Sequence, residues 1–219
     1  MKIRLLGKNL EELKKIVTDE GLPGFTAKQI AQWLYQKKVR SIDDMTNLSK
    51  AARAALAEKY EGGMIEYAGL QLSSDGTKKY LFPVKCTHRR GLNLGSSGQI
   101  PEEELEASAV EAVMIPDADR ATLCVSSQAG CRMGCKFCMT GRQGFHGHLS
   151  AADIISQFLA VDESDKLTNT VFMGMGEPLD NYDNVMRTIE ILTADWGFGW
   201  SPKRITLSTI GVMPNLKRY

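Results

Sequence analysis

Apolar residues recur at helical spacing near the start of the chain. Leu10, Leu13 and Val17 predict one helix, and Gly21-Leu22-Pro23-Gly24 stops it. Ile30, Trp33 and Leu34 predict a second. Thr26-Ala27-Lys28-Gln29 opens it as a capping box, in which hydroxyl and amide each satisfy a backbone N–H. An alanine-rich stretch over 44–60 predicts a third. After Met64 the period changes. Residues 65–72 alternate, Ser73-Ser74-Asp75-Gly76 turns, and Lys78-Lys79-Tyr80-Leu81-Phe82 returns, which predicts a hairpin.

Glycine, serine and a run of glutamates then fill a stretch read as a mobile loop over 87–109. Beyond it strands and helices alternate. Residues 110–115 and 121–126 are strand-like, and Ser150-Ala151-Ala152-Asp153 caps a helix bearing Ile154, Ile155, Phe158 and Leu159. Residues 168–173 form an apolar strand, Val185, Ile189 and Leu192 mark another helix, and 204–209 is the next strand. Such alternation implies parallel pairing through right-handed crossovers, with the active site at the C-terminal strand ends. The expected fold class is therefore α/β. Residues 1–62 form a small basic helical domain, 63–116 a β-hairpin and linker, and 117–219 the strand–helix core.

Composition narrows the classes. With 43% hydrophobic and 24% charged residues over 219 positions, the chain reads as globular. It has no apolar run of about 18 residues, so no membrane partner is expected. Its first residues are too short in their apolar part for a signal peptide, which suggests the cytoplasm. Net charge is +1, but residues 1–60 hold twelve Lys and Arg against seven Asp and Glu. A basic front module suits RNA, although a solvated helical surface accounts for the charge equally well.

Five cysteines in a reducing compartment point to metal or chemistry, not to stable disulfides. Cys131, Cys135 and Cys138 are spaced C-x3-C-x2-C. Three thiolates suit an iron–sulfur cluster with one iron left open. The rival is structural zinc, for which Cys124, His146 or His148 would supply a fourth ligand. Cys86 belongs to no motif.

This spacing, with Phe137 before the last cysteine, resembles the radical S-adenosylmethionine (SAM) superfamily. The residues from Ala121 to Cys131, then Gln143-Gly144-Phe145, Met173-Gly174-Met175-Gly176-Glu177-Pro178-Leu179 and Leu207-Ser208-Thr209-Ile210-Gly211-Val212, resemble the bacterial ribosomal and transfer RNA adenine-C2 methyltransferases within it. The resemblance implies an incomplete radical-SAM (β/α) partial barrel. It also implies a 4Fe-4S cluster on Cys131, Cys135 and Cys138, S-adenosyl-L-methionine as cofactor, 23S rRNA and tRNA as substrates, and a flavodoxin-like electron donor. Glu111 matches the proton acceptor for the adenine intermediate. Cys124 matches the resolving thiol, which releases a protein–RNA thioether by forming a transient disulfide. Gly176, Glu177 and Ser208 match positions that contact S-adenosylmethionine. The sister enzymes that methylate C8 of the same adenosine share the cluster, and a radical enzyme on another substrate is the further alternative.

All five cysteines lie at or before Cys138, whereas the family's methyl-carrying cysteine lies near the C-terminus. The expectation is a front part of a longer enzyme, inactive alone. If the spacing is read correctly, alanine at Cys131, Cys135 or Cys138 abolishes iron uptake on anaerobic reconstitution, while Cys124→Ala retains it. Loss of iron in Cys124→Ala would contradict this ligand set.

Overall fold

Asn9 starts the first helix. In the computed structural model, which describes residues 2–86 and 106–219, its side chain accepts from the Glu12 N–H while the Glu12 carboxylate accepts from the Asn9 N–H. This capping box opens α1 (Leu10–Asp19), which buries Leu13 and Val17. α2 (Thr26–Tyr35) packs beside it, burying Ile30, Ala31, Leu34 and Tyr35. The box expected at Thr26 does not form. Phe25 already has helical backbone angles, so Thr26 lies inside the helix, buried, with no hydrogen bond at the cap. The third helix is shorter than its alanine content suggests. A 3-10 turn covers Ile42–Asp44, and α3 (Lys50–Lys59) begins only at the Ser49 cap. Two short parallel strands, β1 (Ile3–Arg4) and β2 (Tyr60–Glu61), close this module.

The hairpin and the parallel strands belong to one six-stranded sheet, ordered β10-β9-β6-β5-β4-β3. Its antiparallel half comprises β3 (Gly69–Leu72), β4 (Lys78–Cys86) and β5 (Glu106–Asp117). β6 (Arg120–Cys124) pairs antiparallel with β5 and parallel with β9 (Asn169–Phe172), and β10 (Ile205–Leu207) extends the parallel half. Nine register pairs join β4 to β5, so the hairpin and the core share one sheet among the described residues. Residues 106–109, assigned above to the loop, are strand for the same reason. The remainder of that loop, 87–105, lies outside the described residues. The first hairpin strand also starts later than expected, at Gly69. Both sheet halves agree with the α/β class, and the sheet does not close into a barrel among the described residues.

Alternation puts Tyr80, Phe82, Val84, Val110, Ala112, Met114, Leu123, Thr170 and Phe172 on one buried face. α5 (Ala151–Ala160) and α6 (Tyr182–Thr193) cover it, and α5 is buried along its whole length. The opposite face stays open. Lys79, Leu81, Glu111, Val113, Cys124, Val171 and Thr206 are all partly or largely exposed there. No described helix is long and apolar enough to cross a membrane.

The N-terminal module shares the main apolar core instead of standing apart from it. Arg4 reaches the α5 cap, donating to Asp153 Oδ1 at 2.6 Å and Ser150 Oγ at 3.1 Å. Lys28 pairs with Asp195, and Lys38 with Asp165. Lys8, Lys14, Arg40 and Lys59 pair with carboxylates nearer by. Seven of the module's twelve cations are thus paired with carboxylates of the chain, which reduces the charge available to a polyanion.

Gly7 lies in the seam. Its φ is +80°, and a Cβ there would sit 2.4 Å from the Ala152 nitrogen. Left-handed strain and overpacking together should make Gly7→Ala cost about 2–4 kcal/mol. Gly24→Ala, with nothing within 4 Å, should change stability by under about 0.5 kcal/mol. Urea unfolding midpoints measure both, and equal midpoints would contradict a close-packed seam.

Candidate active site

Three parallel strands end side by side, and each is followed by a loop with chemistry. After β6 the chain runs through Val125, Ser126 and Ser127 into a bulged hairpin of β7 (Gln128–Gly130) and β8 (Phe145–His148). The three closely spaced cysteines lie in the loop between them. Gly130 has φ +71°, and a Cβ there would lie 1.9 Å from the Gly144 carbonyl, so only glycine fits the hairpin neck. Within the loop the Cys131 N–H donates to Gly144 O and the Cys138 N–H to Cys135 O, and a short helix, α4 (Met139–Arg142), follows.

The thiols differ in environment. Burial pushes the Cys131 thiol up, reinforced by Cys135, Cys138 and Glu177, while the Met133 N–H opposes it. The Gly141 N–H pulls Cys138 down. Burial raises Cys124 as well, against the Met173 N–H, and drives the buried Cys86 thiol up to about 12. No three His, Cys, Asp or Glu side chains among the described residues converge on a single ion position. Three thiols spread over one loop are a donor set suited to a larger iron–sulfur cluster.

Buried polar side chains hold the strand ends together. Ser126 is matched on both backbone groups by Gln157 of α5: its N–H donates to Oε1 at 2.9 Å, and its carbonyl accepts from Nε2 at 3.0 Å. The Ser126 hydroxyl donates to the Glu111 carbonyl and accepts from the Met175 N–H. Asn181 donates to the carbonyls of both Ser127 and Leu149. The Glu177 carboxylate, 4% exposed, accepts from the Leu179 N–H, the Thr209 hydroxyl and the Ile210 N–H at 2.9, 2.5 and 3.0 Å. Its own N–H donates to Gln128 Oε1. Gly176 makes this approach possible, with φ +98° and Gln128 where a Cβ would go.

That bond orients the Gln128 amide, whose nitrogen donates to Asp180 Oδ2 and faces His148 Nδ1 at 3.0 Å. Nδ1 is therefore the acceptor, and the ring proton sits on Nε2. Burial lowers the His148 pKa, the charge of Asp180 opposes this, and the charge of Arg132 adds to the lowering.

The sequence-predicted residues gather at this end. Val113 faces Cys124 across the β5–β6 ladder, so Glu111, two residues along, is on the same open face and level with the end of β6. Glu111 is not enclosed: its side chain is 45% exposed and pairs with Lys79 at 3.0 Å. Ser208 follows β10 directly and is exposed. The sequence reading missed Ser126, Gln128, Gln157 and Asn181. Gln157, set beside Ser156 between the apolar pairs Ile154-Ile155 and Phe158-Leu159, was the available signal.

Two family profiles match the chain. Residues 3–61 match the ribosomal RNA large subunit methyltransferase N-terminal domain, and residues 125–219 the radical SAM superfamily. Among curated proteins, a "probable dual-specificity RNA methyltransferase RlmN" of Porphyromonas gingivalis ATCC 33277 is 52% identical over 218 residues, covering 100% of this chain and 56% of its own. The protein of that name in Bacteroides fragilis ATCC 25285 is 52% identical, with 100% and 58% covered. The "dual-specificity RNA methyltransferase RlmN" of Geotalea uraniireducens is 40% identical, with 98% and 57% covered. The crystal structure of a radical SAM methyltransferase from Sphaerobacter thermophilus superposes with a TM-score of 0.80 at 33% identity, covering 99% of this chain and 59% of that one. The chain thus spans a little over half the length of these relatives.

The thiol environments order reactivity, because the thiolate is the nucleophile. In metal-free folded protein at pH 8, iodoacetamide should label Cys138 before Cys131, with the gap closing as pH rises and Cys131 ionises. Cys86 should stay unlabelled until unfolding. Peptide mass spectrometry reads the order, and equal rates at Cys131 and Cys138 would contradict the assigned environments.

Proposed function

We propose that the chain is a member of the radical S-adenosylmethionine superfamily, whose model matches residues 125–219, and that it serves in the methylation of adenosine C2 in 23S rRNA and tRNA. The observation that carries the proposal is the shared placement of Glu111 and Cys124. They sit on neighbouring strands of one open sheet face, at the end where the cysteine loop and the loops after β9 and β10 meet. A base and a thiol there are accessible to an RNA base entering over the sheet.

In this reading Cys131, Cys135 and Cys138 hold a 4Fe-4S cluster, and the donor chemistry above fits that role. When bound, the cluster and S-adenosylmethionine supply the radical that activates a methyl group. The protein's own residues do the rest. Gly176 leaves backbone open to the cofactor, and Ser208 offers a hydroxyl at the end of β10. Glu177 has about one of its four acceptor positions left, enough for one cofactor donor besides its three internal bonds. Glu111 takes the proton from adenine, for which its carboxylate must leave Lys79. In protein of the relatives' full length, the Cys124 thiolate would then attack the sulfur of the methyl-carrying cysteine: an S–S bond forms as the S–CH2 bond to the RNA breaks, and its electron pair leaves on the adenine methylene carbon, which takes up a proton.

The substrates are 23S rRNA and tRNA, the electron donor is a small flavodoxin-like protein, and the compartment is the cytoplasm. The N-terminal module contributes RNA contacts through those cations that the core does not engage.

Protein of the relatives' full length tests the thiol's role. Cys124→Ala should accumulate a covalent protein–RNA species, visible as a slow, nuclease-sensitive band on a denaturing gel. Loss of activity without that band would contradict the resolving role.

A further inference from the structure

Arg132 sits between two of the three clustered cysteines, and its guanidinium leaves the loop. Nε reaches Asp180 Oδ2 at 2.9 Å, and the group lies 4.1 Å over the Phe145 ring. Nη2 stands 3.3 Å from His148 Nε2. With the ring proton on Nε2 that approach joins two donors, so it adds no hydrogen bond, and Asp180 is the charged anchor. The same Asp180 oxygen accepts from Gln128 Nε2 at 2.7 Å. Asp180 belongs to the 3-10 turn Pro178–Asn181 that follows Glu177. One carboxylate oxygen therefore ties the cysteine loop and the hairpin base to the segment after β9. The side chains of Arg132 and Asp180 are 32% and 17% exposed, which limits solvent screening.

We propose that Arg132 and Asp180 are positioning residues that dock the cysteine loop onto the Pro178–Asn181 turn before any cluster is present. The loop's own bonds are local: Cys131 N–H to Gly144 O, Cys138 N–H to Cys135 O, the Arg142 guanidinium to Lys136 O, backbone N–H groups on the Cys131 and Cys138 thiols, and the single turn of α4. They shape the loop without fixing it to the sheet. The ion pair does that, and the Phe145 ring beneath the guanidinium restricts its rotamers. The role as a cluster cradle rests on the ligand reading above, but the docking itself is a property of the metal-free chain.

Hydrogen exchange of the metal-free 219-residue chain tests it. Arg132→Gln and Asp180→Asn should each speed exchange of the Cys131, Cys138 and Arg142 amides about tenfold, the loss of one charge-assisted bond. Amides of α1 and α2 should not change. The double variant should fall well short of additive acceleration over Asp180→Asn, because that substitution already breaks the ion pair with Arg132 as well as the Gln128 bond. Arg132→Lys, which keeps the charge, should recover part of the protection. Should Asp180→Asn unfold the chain, so that α1 exchanges too, the two Arg132 variants carry the test alone. Unchanged exchange in the loop, or additive effects in the double variant, would overturn the proposal. Iron uptake by wild type is read separately. A wild type that binds no iron sinks the cluster reading while the exchange result still decides the docking.

Discussion

A single buried carboxylate joins the ends of all three parallel strands. Glu177 follows β9, takes hydrogen bonds from Thr209 and Ile210 after β10, and through its N–H holds Gln128 at the start of the cysteine hairpin. A charge this enclosed is costly unless its oxygens are satisfied. Three donors at 2.5 to 3.0 Å satisfy them and reinforce one another in the low-dielectric interior. The loops that follow the strands keep only a few backbone bonds to one another, such as Ser127 N–H to Met175 O and Gly174 N–H to Val125 O, so side chains must match the remaining backbone groups. Ser126, Gln157 and Asn181 do this for the β6 end, Glu177 for the other two.

The geometry of the site follows from that requirement. Because Ser126 bonds the Glu111 carbonyl as well as the Met175 N–H, β5 is drawn to the strand ends and Glu111 is brought level with them. The N-terminal module supports the arrangement from behind. Arg4 holds the α5 cap, and α5 carries Gln157. A front module that looks from its charge like an RNA-binding appendage is thus also part of the scaffold on which the site is built.

The helices and apolar strands were legible because their periodicity reflects burial. The Ser150–Asp153 cap formed as expected. Thr26 misled because a capping motif read from sequence assumes an extended residue at its start, and there the helical backbone begins one residue earlier. The cysteine spacing and the motifs after β9 and β10 pointed to this end of the sheet because distinctive residue types fall there within short spans. The continuity of hairpin and core was not legible, since strand pairing across 87–105 leaves no local signal. Nor were the Arg132–Asp180 contact and the roles of Ser126 and Gln128, which join residues far apart in the chain. The family resemblance suggests Glu177 as a cofactor contact, whereas its structural task emerges only from its partners.

Those two roles for Glu177 differ in the cofactor-free chain. Amide exchange of Glu177→Gln, without iron or S-adenosylmethionine, separates them. If the carboxylate unites the strand ends, exchange at Leu179 and Ile210 accelerates together, about tenfold or more for lost bonds to a charged acceptor, while α1 and α2 keep their protection. If Leu179 and Ile210 exchange as in wild type, the carboxylate serves only an absent ligand, and the account of how this site is held together is wrong.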